Sequence, residues 1–207
     1  MNSNLAEAHL QTIRLLMERS AIYRRALAPI MLLAGLLGLA AAGIGLGFQL
    51  ESARSFAGLW LGTACVVVAS AFLLVRRQAL NDHEKFWSPP TRRVTQALLP
   101  PLTSGMVLGG LPVVVPPAWS DNFLMVLVWL LFYGCALHSA GFFMERGIKW
   151  LGWVFIIVAF LLMIIVAANG RLLRPAAANW VMGLTFGGLH LACGVYLYFT
   201  ERRHPVA

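Results

Sequence analysis

Residues 122–146 read NFLMVLVWLLFYGCALHSAGFFMER. About twenty of them run without a charge, enough for one helix to cross a hydrocarbon core of roughly 30 Å. The same stretch holds Cys135 and His138, one helical turn apart and just ahead of Glu145-Arg146. Its second half has an echo seventy residues earlier, where Cys65 to Arg76 reads CVVVASAFLLVR against CALHSAGFFMER from Cys135 to Arg146.

The rest of the chain has the same character. Of 207 residues 59% are hydrophobic and 12% charged, about half the charge of a soluble domain, which carries roughly 25%. A bilayer is therefore the expected solvent. The net charge of +8 does not build a basic soluble domain. The basic residues stand at the ends of apolar segments, where they set membrane orientation, and nucleic-acid binding is excluded on that ground. Cys65, Cys135 and Cys193 all fall inside apolar segments, so no disulfide framework is expected. Glu7 and Glu18 near the start, and the length of the apolar segment that follows, argue for a retained helix rather than a secretory signal. No lipidation box is present: residue 2 is Asn and the chain ends HPVA.

Taken in order, Asn4 to Ser20 opens with a capping-box spacing, Asn4 and Glu7, and then carries Leu10, Ile13 and Met17 at helical intervals. It reads as an amphipathic helix at the membrane surface, so that residues 1–25 form a cytoplasmic lead-in and 26–203 a single membrane domain. Six spans are expected, at about 26–48, 55–75, 97–115, 122–144, 150–168 and 179–200. Arg76 to Gln96 is the only long polar connection, with a Trp87-Ser88-Pro89-Pro90 step at its centre. Pro100, Pro101 and Pro112 are expected to break the third span. The fifth, almost wholly aliphatic and aromatic, is expected to face lipid. GxxxG spacing occurs at Gly43/Gly47, Gly58/Gly62, Gly105/Gly109 and Gly183/Gly187; it serves packing within a bundle or a homo-oligomer equally well. The echo above, with Arg24-Arg25 before the first span and Arg92-Arg93 before the third, suggests duplicated hairpins.

Six spans place both termini on one side. Arg14, Arg19, Arg24, Arg25, Arg76, Arg77, Lys85, Arg92, Arg93, Arg146, Lys149, Arg202 and Arg203 share that side, leaving Arg54, Arg171 and Arg174 opposite. The positive-inside rule then makes the chain a multi-pass protein of the cell inner membrane with N- and C-termini in the cytoplasm.

Ionisable groups within spans are functional candidates by default. Here they are His138 and His190, each with a cysteine three residues away, Cys135 and Cys193. Positions three apart share a helix face, so the two pairs are candidate ligands for a transition metal, and the histidines alone for a haem. Against one shared site, His138 stands seven residues before Glu145 and His190 eleven before Glu201, a stagger of roughly 6 Å at about 1.5 Å per residue. The simpler reading has both histidines bonding across helices and the cysteines acting as small apolar residues, with no cofactor. All eight acids lie outside the span cores, and HExxH, P-loop and GxSxG motifs are absent, so an enzyme finds no support. Trp87, Arg92 and Arg93 on the long connection are candidates for contact with anionic lipid or a soluble cytoplasmic protein.

The expectation is an all-α, polytopic six-helix bundle. Its first functional reading is a non-catalytic membrane protein that senses or scaffolds through its cytoplasmic face. The second is a small-solute or ion transporter using the third span beside His138 and His190, and the third is a metal- or haem-binding redox protein.

Overall fold

A computed structural model of the chain describes residues 26–81, 86–114, 121–144, 146–169 and 175–203. Every regular element among them is helical. They are α1 (Ala26–Gly47), α2 (Ala53–Asn81), α3 (Pro89–Val114), α4 (Asn122–Ala140), α5 (Arg146–Asn169) and a last span made of α6 (Ala176–Met182), a π-helical segment (Gly183–Leu189) and α7 (His190–Arg203). Among the described residues, five helices are long and apolar enough to cross a membrane: α1, α2, α4, α5 and the last span. By length and composition the chain is a multi-pass membrane protein. Helix α3 is not in that set. The expected amphipathic helix at 4–20 lies outside the described residues, as do Arg171 and Arg174.

Helix starts follow local chemistry. Ser52 Oγ accepts from the Ser55 amide at 3.1 Å ahead of α2, and Asp121 Oδ1 accepts from the Phe123 amide at 2.8 Å ahead of α4, each satisfying an amide that has no partner within its own helix. Pro89 opens α3, where a missing N–H costs nothing. Three expected boundaries are corrected. Helix α2 continues through Arg76-Arg77-Gln78-Ala79-Leu80, all good helix formers, so only 82–88 separates it from α3. Helix α4 stops at Ala140, and the chain turns where Phe143 N–H donates to Ala140 O at 2.9 Å. Helix α3 is not broken at its prolines. The Thr103 hydroxyl donates to Leu99 O at 2.8 Å and the Ser104 hydroxyl to Pro100 O at 2.8 Å, supporting the backbone just past them.

Glycine contacts set the packing. A methyl built at Gly194, Gly35, Gly38 or Gly183 would overlap Leu32, Leu191, Gly187 or Ala42 respectively, all within 3.0 Å. Partner numbers fall as one helix rises along the other, so α1 and the last span run antiparallel in close backbone contact. Gly134, Gly141 and Gly152 do the same for α4 and α5: a methyl at Gly152 would lie 2.5 Å from the His138 nitrogen, and one at Gly141 2.7 Å from Lys149 Cα. Gly105 and Gly109 of α3 receive Phe132 and the Trp129 indole of α4. Two GxxxG pairs thus work inside the bundle. At Gly43, Gly47, Gly58 and Gly62 a methyl would meet nothing within 4 Å.

The most lipid-exposed span is α2 rather than α5: 6% of its apolar stretch is buried, against 28% for α5. Ile148, Leu151, Phe155, Ala159 and Leu162 form an inward stripe on α5 at helical spacing, whereas α2 buries only Phe56, Ala57, Trp60 and Ala79. The sequence echo between α2 and α4 has no counterpart in environment, since Cys65 is exposed and Cys135 half-buried.

A polar lock closes one end. The fully buried Asn179 accepts from Trp60 Nε1 at 3.0 Å and donates to Leu50 O at 3.4 Å, and Asn122 Nδ2 donates to Glu51 O at 2.8 Å. These bonds tie the turn between α1 and α2, with Gln49 at φ 52°, to the starts of α4 and α6. Gly45 is needed there, because a methyl would lie 2.5 Å from Asn179 Oδ1.

Candidate functional site

The membrane-level interior converges on His190, the residue at which the π segment returns to α-helix. A π segment widens the turn, accommodates an extra residue and often marks a functional position. Here Gly183, Gly187 and Gly188 soften the backbone, and contact with Ala42 and Leu39 of α1 presses on it. The Thr185 hydroxyl donates to Val181 O at 2.7 Å within the segment.

His190 is 3% exposed. Its Nε2 lies 2.5 Å from the Tyr133 hydroxyl of α4. Three aromatic rings enclose the imidazole: Phe186 stacks on it at 6.1 Å and 10°, Tyr133 stands at 5.3 Å and Phe155 of α5 at 5.5 Å. Those rings also pack on one another at 4.9 to 5.2 Å. The shell is therefore contributed by α4, α5 and the last span together. Nδ1 of His190 is buried without a hydrogen bond. An imidazole joined to a phenol can pass a proton between Oη and Nε2, and that is the chemistry this arrangement offers.

His138 occupies a different shell. Its ring meets Phe142 edge-on at 5.4 Å and Trp153 of α5 at 5.2 Å, and its Nδ1 is also buried and unpaired. Neither histidine has a ring or hydrogen-bond partner on α3, the span expected to stand beside them. Cys135 is half-buried one turn before His138, and Cys193, also half-buried, borders a groove on the outer side of α7. The two cysteine–histidine pairs are not brought to one point. Among the described residues no group of three or more His, Cys, Asp or Glu side chains could hold a metal ion.

At the basic end, Trp87, Arg92 and Arg93 are exposed. Phe86 packs edge-on against Phe72 of α2 at 5.0 Å and sits 6.3 Å from the Trp87 ring. Ser88 bonds the Thr91 hydroxyl at 3.0 Å and its carbonyl accepts from the Arg92 amide at 3.0 Å. The step before α3 is thus fixed while its indole and two guanidinium-bearing residues point outward.

Sequence reasoning passed over Tyr133 and Asn179. A signal existed for both: a tyrosine or asparagine within an apolar span needs a partner for its polar atoms. No protein-family profile, curated protein or solved structure matches this chain.

Proposed function

We propose that the chain is a non-catalytic, six-span inner-membrane protein that senses or scaffolds through its basic cytoplasmic face, with α3 as the sixth span. The observation that carries this reading is the fixed, outward-facing Trp87 beside exposed Arg92 and Arg93. An exposed indole next to two cations exceeds what membrane orientation requires, and it suits a soluble partner with an apolar, acidic patch. Thirteen of the sixteen basic residues share that side under the six-span topology, which supports placing it in the cytoplasm. The test is affinity purification with a membrane-matched control. A stoichiometric cytoplasmic partner should be recovered with the native chain and lost with Trp87→Ala/Arg92→Ala. Equal recovery with both would remove the reading.

A second reading is a proton-coupled small-solute transporter. It is favoured by one observation, the bonded Tyr133–His190 pair at the π turn. Proteoliposome flux that falls with His190→Ala or His138→Ala would establish it over the first.

A further inference from the structure

Between α1, α5 and α7 lies a groove of about 230 Å³. Leu27, Ile148, Leu151, Val154, Cys193 and Leu197 wall it, and it opens between Trp150 and Tyr196, 69% and 66% exposed. Its lining is almost wholly apolar, so a polar solute would find no hydrogen bonds there. We infer that the groove holds one acyl chain of an anionic phospholipid, with the headgroup at the basic rim. The inference rests on the membrane bundle and not on the scaffold reading.

Three features carry it. The size allows it: about 230 Å³ leaves room for a stretch of several methylenes. The rim is cationic. Arg146 stands one turn ahead of Trp150 on α5 and Arg203 two turns beyond Tyr196 on α7, so each shares a face with a mouth residue by helical period. Lys149 follows Ile148 of the lining but turns toward the end of α4, its Nζ 4.0 Å from the centre of the Phe142 ring. In sequence Arg24 and Arg25 precede Ala26-Leu27 and Arg202 precedes Arg203, so the stretches that flank the groove carry more basic than acidic residues, Glu145 and Glu201 being the acids among them. Basic sites between membrane helices at the cytoplasmic side bind anionic headgroups. Finally, the mouth carries a Trp and a Tyr, the side chains that settle at the headgroup level.

The test is native mass spectrometry of the full chain released from vesicles of equal phosphatidylglycerol and phosphatidylcholine. One phosphatidylglycerol per chain is expected to survive the activation that strips other lipid. Gly147 lines the groove, and a side chain there meets no atom within 4 Å, so Gly147→Leu fills the space without a backbone clash. It should lower the share of chains that retain the lipid. Arg146→Gln/Arg203→Gln should erase the preference for phosphatidylglycerol. As a measurement on the native chain, phosphatidylglycerol should slow maleimide modification of Cys193 and leave the exposed Cys65 unaffected. No retained lipid, retention indifferent to Gly147→Leu, equal retention of phosphatidylcholine, or equal protection of both cysteines would overturn the inference.

Discussion

The Tyr133 hydroxyl and His190 Nε2 meet inside a shell of aromatic rings. Tyr133→Phe removes the phenol and leaves Nε2 of His190 unmatched, which should lower stability by about 1–3 kcal/mol. Tyr133→Phe/His190→Phe should recover most of that loss, because an apolar pair of similar shape has nothing left to satisfy. Unfolding of the single and double variants in one detergent checks both values. A double variant as unstable as the single one would mean that the bond is not the reason the pair is there. Asn179 makes a parallel case at the other end of the bundle. Asn179→Ala strands the Trp60 N–H, which is buried at 4% exposure, and should cost about 1–3 kcal/mol in the same assay. Neither pair could be read from the sequence. Their partners are 57 and 119 residues apart, and nothing local announces which span will face which. His138, His190, Cys135 and Cys193 were conspicuous as polar or sulfur atoms in apolar runs, yet their shared spacing said nothing about convergence.

At the level of helices, glycines divide into those that seat a neighbour and those that do not. Gly152→Ala and Gly38→Ala push a methyl against backbone atoms at 2.5 and 2.9 Å and should destabilise by about 1–3 kcal/mol each. Gly58→Ala and Gly62→Ala meet open space and should be neutral or stabilising by up to about 1 kcal/mol, the ordinary helix preference for alanine. Thermal unfolding of the four variants is sufficient. If Gly58→Leu also changes the oligomeric state in cross-linking, the open face of α2 belongs to a second copy; an unchanged state leaves it to lipid. Helix positions were legible because long uncharged runs leave few alternatives in a bilayer. Helix ends and inward faces were less so. A span apolar all round, such as α4 or α2, declares its length without declaring its buried side. The π segment was invisible for a related reason: Gly183, Gly187 and Gly188 fit a tight α-helical crossing as well as a widened turn.

For the molecule as a whole, charge is the organising fact. The interior at membrane depth is closed by glycine contacts and aromatic rings. Basic residues collect at the ends of α2 and α7 and at the starts of α3 and α5, while the polar lock of Asn122 and Asn179 gathers around the turn at 48–52. Under the proposed topology the first set lies in the cytoplasm and the second outside. The direct measurement is accessibility of single cysteines at Ser52 and Ser88, introduced into a chain whose three native cysteines are replaced by alanine. An impermeant maleimide applied to intact spheroplasts should modify Ser52→Cys and spare Ser88→Cys, with the pattern reversed in inverted vesicles. Both positions reacting from the same side, or the opposite assignment, would contradict the six-span topology or its orientation and take the cytoplasmic scaffold with it.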